Sequence, residues 1–131
     1  MKKITPTDGT IRPVVCVIDD NDDVRRFICR VLQEAGFPTV DTNDGFAGVV
    51  LAGSSGARVA IIDMVMPDRD GCETMADLKV RFPTIKVLAM SGGGSVTPKT
   101  YLRRADDFLA KPFKVSEMIG KVTALAQRAL C

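Results

Sequence analysis

Hydrophobic positions along the chain gather into five short runs separated by polar, periodic stretches. The runs are Val14-Val15-Cys16-Val17-Ile18, Thr39-Val40-Asp41-Thr42, Val59-Ala60-Ile61-Ile62, Val87-Leu88-Ala89-Met90 and Phe108-Leu109-Ala110. The first, third and fourth are continuously apolar, as strands covered on both faces are, whereas the more polar second run predicts an edge strand. Between the first two runs, Val24, Phe27, Ile28, Val31 and Leu32 recur at helical spacing and predict an amphipathic helix stopped by Gly36. Met75, Leu78 and Phe82 predict another helix ending before Pro83, and Met118, Ile119, Val122, Leu125 and Ala129 predict the last. From Phe46 to Leu51 the helical pattern is weakest, because Gly45, Gly48 and Gly53 lower helix propensity. Strand and helix alternating through five rounds predict βαβ units and an α/β fold with a parallel sheet.

Composition narrows this picture without changing it. A chain of 131 residues, 46% hydrophobic and 26% charged, fits one compact domain. Residues 1–12 read as a flexible N-terminal lead and 13–131 as the domain. At this size roughly two thirds of the unfolded surface is buried, so neither disulfides nor a structural metal is needed. Cys16, Cys29, Cys72 and Cys131 form no CxxC pair and no histidine is present, which excludes the usual zinc sites. They read as reduced thiols, with Cys16 and Cys29 packed as small hydrophobes. Met1-Lys2-Lys3 is not followed by the apolar stretch of a signal peptide, and no run approaches a membrane span; the expectation is a cytoplasmic protein with no membrane partner. A formal charge of +2 is too small to argue for nucleic acid.

In an open parallel sheet, ligands bind at the carboxyl ends of the strands. Asp19-Asp20 ends the first predicted strand, Asp63 the third, Ser91 the fourth and Lys111 the fifth, so polar residues converge on one edge. Each also has a plainer reading. Asp19, Asp20 and Asn21 suit a turn and helix cap, with Asn21 or Asp22 as the capping residue. Ser91 before Gly92-Gly93-Gly94 suits a loop, and a strand-end lysine is normally solvated. Lys111 stands out because Pro112 follows it, and a cis Lys111-Pro112 bond would turn the ammonium back over the edge. Three carboxylates together repel unless a cation sits among them, and an all-oxygen donor set suits Mg²⁺. Carboxylates, a metal, a hydroxyl and an ammonium are the parts that neutralise a transferring phosphoryl group. Asp63, central among them, is the candidate nucleophile.

These residues resemble the receiver domain of bacterial two-component response regulators from about Pro13 to Leu130. The likeness rests on Val-Ile-Asp19-Asp20-Asn21, Ile-Ile-Asp63-Met-Val-Met66-Pro67-Asp68-Arg-Asp70-Gly71, Met90-Ser91-Gly92 and Phe108-Leu-Ala-Lys111-Pro112-Phe113, in the family's order. It implies a flavodoxin-like (βα)5 fold with strand order 2-1-3-4-5 and helices on both faces. It also implies phosphoryl transfer to Asp63 from a phosphohistidine on a sensor histidine kinase or histidine phosphotransfer protein. Asp20, Asp63 and the Val65 backbone carbonyl would ligate Mg²⁺, and Asp19 would act mainly through water on the metal. Ser91 and Lys111 would hold phosphoryl oxygens, and Phe108 would be the switch aromatic. Such a module is a phospho-acceptor that assists its own phosphorylation and dephosphorylation, not a turnover enzyme, and signals to a downstream protein by contact.

Two departures stand out. Between Pro98 and Phe108 the chain is a few residues shorter than is usual in the family, leaving only Lys99 to about Arg104 for the fourth helix, where Lys99, Arg103 and Arg104 form a small basic cluster. Val65 and Gly93 stand two residues after Asp63 and Ser91, and neither side chain can hydrogen-bond an attacking water; a long-lived aspartyl phosphate is the expectation. With no output sequence after Leu130, the expectation is a stand-alone switch or phosphorelay intermediate. Two alternatives are an unphosphorylated binding module and a Mg²⁺-dependent phosphatase with an aspartyl nucleophile, whose usual second aspartate is replaced by Val65.

Overall fold

The computed structural model describes residues 12–65, 71–92 and 104–130. Its elements in chain order are β1 (Val15–Ile18), α1 (Asp22–Glu34), β2 (Thr39–Thr42), α2 (Gly45–Ser54), β3 (Val59–Asp63), α3 (Gly71–Arg81), β4 (Lys86–Ser91), β5 (Asp107–Ala110) and α4 (Val115–Leu130). The strands form one parallel sheet in the order β2-β1-β3-β4-β5. The three continuously apolar runs are the three central strands, and the more polar β2 is an edge, as its pattern predicts.

Alternate residues of the strands feed two core layers. Val15, Val17, Val59, Ile61, Leu88 and Met90 face α1 and α4, packing on Ile28, Leu32, Met118, Val122 and Leu125. Cys16, Ile18, Ala60, Ile62, Val87 and Ala89 face α2 and α3, packing on Val49, Ala52, Met75 and Leu78. The sheet is therefore covered on both sides, which is why its central strands carry no polar alternation.

Asn21 caps α1, its side chain accepting from the Val24 N–H at 3.0 Å. Gly36 takes φ +95° beyond the helix end, where the Phe37 N–H returns to the Leu32 carbonyl at 2.9 Å. Phe27, assigned by periodicity to the apolar stripe, is 39% exposed; the buried stripe runs through Ile28, Cys29 and Leu32 instead.

The glycine-weakened segment is a full helix, and its glycines are packing positions. A Cβ on Gly48 would stand 2.4 Å from Ile18 Cδ1, and one on Gly53 2.1 Å from Phe82 Cζ. Close seating of α2 on β1 and α3 outweighs the intrinsic cost of glycine in a helix.

At the opposite end of the sheet, Asp106 anchors the entry to β5. Its Oδ2 accepts from the Val87 N–H at 2.8 Å and from Lys79 Nζ of α3, and its Oδ1 faces Arg128 of α4 at 3.8 Å. The strand leading to Lys111 is thus fixed at its start by three elements.

Residues 1–11 of the expected N-terminal lead, Met66–Asp70 of the motif that follows Asp63, Gly93, Lys99 and Arg103 lie outside the described residues, as does most of the expected helix from Lys99 to Arg104. Arg104 itself is exposed. Among the described residues no helix is long and apolar enough to cross a membrane.

Candidate functional site

The carboxyl edge of the sheet is built by the ends of β1, β3, β4 and β5. Asp63 and Ser91 are the last residues of their strands, so the sheet itself holds them: Asp63 is in register with Met90, and Ser91 with Ala110. Lys111 follows β5 directly, its N–H donating to the Ser91 carbonyl at 2.8 Å. The Lys111-Pro112 peptide is cis.

Asp19, Asp63 and Ser91 are buried, whereas Asp20 is exposed. Oxygens from Asp19, Asp20 and Asp63 all lie within 4.8 Å of one another. Lys111 Nζ is 3.3 Å from Asp19 Oδ2 and 3.6 Å from Asp63 Oδ2, bridging the two buried carboxylates. Asp19 Oδ1 accepts from the Asn21 N–H at 2.9 Å, and Asp63 Oδ1 from the Val65 N–H at 3.1 Å. Of the residues selected from sequence, Asp19, Asp20, Asp63 and Lys111 are therefore brought into one cluster, with Ser91 on the adjoining strand end.

Burial pushes the Asp63 carboxyl from its ordinary 3.8 up to about 6, and the neighbouring Asp19 adds to the rise. The Val65 N–H and the Lys111 ammonium act in the opposite direction without cancelling it. Burial thus disfavours the Asp63 carboxylate by more than its own donors compensate. Three convergent carboxylates, hard oxygen donors with no nitrogen or sulfur among them, fit a hard divalent cation.

Val65, whose N–H bonds Asp63, is 69% exposed, and its side chain is an isopropyl group. Phe108 is half-buried on β5, packed on the core layer beneath α2 and α3.

Two residues that support the site were not singled out from sequence. A Cβ on Gly71 would stand 2.4 Å from the Asp63 carbonyl oxygen and 2.5 Å from Met64 Cα, so α3 starts against the backbone of Asp63 only because residue 71 has no side chain. Gly71 stands within the motif quoted above, but its partner is a strand it does not adjoin. Arg25 donates to the Asp19 carbonyl at 3.0 Å; a lone arginine on an amphipathic helix gives no such signal.

Comparison with known proteins agrees with this geometry. The model of the response regulator receiver domain matches residues 15–123. The transcriptional regulatory protein PrrA of Mycobacterium tuberculosis is 30% identical over 122 residues, covering 92% of this chain and 52% of the relative. The cell cycle transcriptional regulator CtrA of Caulobacter vibrioides is 28% identical over 117 residues, 88% of this chain and 51% of the relative. The chain spans about half the length of these curated relatives. Among solved structures, the receiver domain of the Francisella response regulator 1452 superposes with a TM-score of 0.80 at 29% identity, covering 89% of this chain and 98% of that one. The chemotaxis protein CheY4 of Vibrio cholerae shares the fold at a TM-score of 0.79 and 21% identity, with coverages of 88% and 99%. The chain belongs to the response regulator receiver domain family of two-component systems.

Proposed function

We propose that Asp63 accepts a phosphoryl group from the phosphohistidine of a sensor histidine kinase or histidine phosphotransfer protein, and that a downstream protein reads the resulting state by contact. The observation that carries this reading is the convergence of Asp19, Asp20, Asp63 and Lys111 at the edge where an incoming phosphoryl group meets a buried carboxylate.

In the transfer, a carboxylate oxygen of Asp63 attacks phosphorus as the P–N bond to the donor imidazole breaks, and the imidazole leaves with the bonding pair and is protonated. Asp20, Asp63 and the Val65 carbonyl would hold Mg²⁺, with Asp19 acting through water. When bound, the metal supplies positive charge to the carboxylates and to the phosphoryl oxygens. Lys111, already between Asp19 and Asp63, needs only a small displacement to pair with a phosphoryl oxygen on Asp63. The hydroxyl of Ser91 donates to another, and Phe108, on the strand beside it, turns inward as Ser91 moves. The chain is the acceptor in this reaction and assists it by neutralising charge; it turns over no separate substrate.

The direct test is incubation with Mg²⁺ and acetyl phosphate followed by intact mass. Wild type gains one phosphoryl group and Asp63→Asn gains none. A wild type that gains none from any donor leaves a binding module that is not phosphorylated.

A further inference from the structure

Arg25, near the start of α1, has a side chain only 11% exposed, and its guanidinium meets three acceptors from three parts of the fold. Nη2 pairs with Asp22 Oδ1 at 2.8 Å in the first turn of α1, Nε with Asp41 Oδ2 at 2.8 Å on edge strand β2, and Nη1 donates to the Asp19 carbonyl at 3.0 Å at the end of β1. A planar fork whose donors are spread over three nitrogens reaches three separated acceptors at once, whereas an ammonium must direct all its donors from a single nitrogen.

The contact with Asp19 completes a set. The Asp19 N–H donates to the Thr42 carbonyl at 3.2 Å, its Oδ1 accepts from Asn21 and its Oδ2 faces Lys111. The remaining polar group, the carbonyl, is the one Arg25 holds. Because the peptide unit is planar, fixing the Asp19 carbonyl fixes the plane containing the nitrogen and Cα of Asp20. Asp20 is exposed, so the direction of its carboxylate starts from that plane.

We propose that Arg25 is a positioning residue for the cation site: anchored on Asp22 and Asp41, its guanidinium holds the Asp19 carbonyl and so sets the direction in which Asp20 presents its carboxylate. This rests on the reading of the acidic edge as a Mg²⁺ site. It also ties that site to β2, since Asp41 lies opposite Val17 in the β1–β2 register.

The test is a Mg²⁺ titration followed by calorimetry and by the backbone amide signals of Asp20, Asn21 and Val65. Wild type, Arg25→Lys, Arg25→Ala and Asp41→Asn are compared, with Asp20→Asn marking the site. Both Arg25 variants, still folded, bind Mg²⁺ about tenfold more weakly than wild type, the scale of a lost outer-shell partner. The lysine does not rescue, and Asp41→Asn, which loosens only the outer anchor, shows a smaller loss. Without metal, the Asn21 amide exchanges faster in Arg25→Lys while Val17 and Ile61 keep their protection. Variants with a lowered Tm but wild-type Mg²⁺ affinity and Asn21 exchange would make Arg25 merely structural and overturn the proposal. Absence of Mg²⁺ binding in wild type itself would sink the site reading and this inference with it, a result distinguishable because the variants play no part in it. Should Arg25→Ala fail to fold, Arg25→Lys and Asp41→Asn decide the question.

Discussion

The ammonium of Lys111 lies 3.3 Å from a carboxylate oxygen of Asp19, a residue 92 positions earlier in the chain. That contact, with the one to Asp63 at 3.6 Å, makes the lysine the internal counter-ion of the acidic edge. Replacing it with methionine leaves two buried carboxylates facing each other. The metal-free variant should lose about 1 to 3 kcal/mol at neutral pH, less than a fully buried pair because the lysine is 24% exposed. Mg²⁺ should bind severalfold more tightly, having no ammonium to displace, while phosphoryl accumulation falls. Calorimetry and intact mass on Lys111→Met check the two opposed effects; a variant whose Mg²⁺ affinity falls would count against the counter-ion assignment.

The raised Asp63 carboxyl fixes the sign of a pH effect. Between its ordinary 3.8 and the folded value of about 6, the folded chain keeps a proton that the unfolded chain releases. The associated stability is therefore fully present below pH 4 and lost as pH rises through 6. The shift corresponds to an upper bound on the order of 3 kcal/mol. In chelator, Asp63→Asn should be more stable than wild type by a margin that widens from pH 4 to pH 6 and then levels off. Urea midpoints across this range measure it, and saturating Mg²⁺ should narrow the margin.

Two glycine-to-alanine changes should have opposite signs. At Gly71 the added methyl meets the Asp63 carbonyl and Met64 Cα, backbone atoms that cannot swing aside. Overpacking of that kind costs about 1 to 3 kcal/mol, and the displaced acceptor strand end should slow phosphorylation. At Gly120, within α4 and exposed, a methyl meets nothing within 4 Å. There the gain in helix propensity should stabilise the chain by about 0.5 to 1 kcal/mol with phosphorylation unchanged.

Val65 is exposed two residues after Asp63 and its side chain can neither donate nor accept a hydrogen bond. Under the proposed function, hydrolysis of an aspartyl phosphate on Asp63 would therefore proceed without a side chain at this position to orient water. Val65→Asn should shorten the phosphoryl lifetime by roughly tenfold through positioning alone. Decay of the intact-mass signal after donor removal gives the rate; an unaltered rate argues against the assignment.

Much of this was legible in the chain itself, for identifiable reasons. Strands buried on both faces must be continuously apolar, so β1, β3 and β4 announced themselves, and polar residues at their ends had to share one edge. The limits of the reading are tertiary. Phe27 obeys the helical period yet stands outside the core, because the period fixes a stripe's spacing but not where its centre falls against the sheet. The glycines of α2 look like helix breakers until Ile18 and Phe82 are seen lying against two of them. Arg25 was invisible because its acceptors at 19, 22 and 41 meet only after β1, α1 and β2 have assembled.

The two buried thiols, Cys16 and Cys29, lie in opposite core layers, which has a practical consequence. Burial raises Cys16 to about 12 and Cys29 to about 11, so both stay thiols at neutral pH in the folded chain. Cys16 lies in the layer beneath α2 and Cys29 in the layer beneath α1. They are a pair of native clocks: a thiol reagent reaches each one only when its own half of the molecule opens. Equal labelling rates would mean that the sheet loses both coverings in one event; unequal rates would identify the half that lifts first, with no probe introduced.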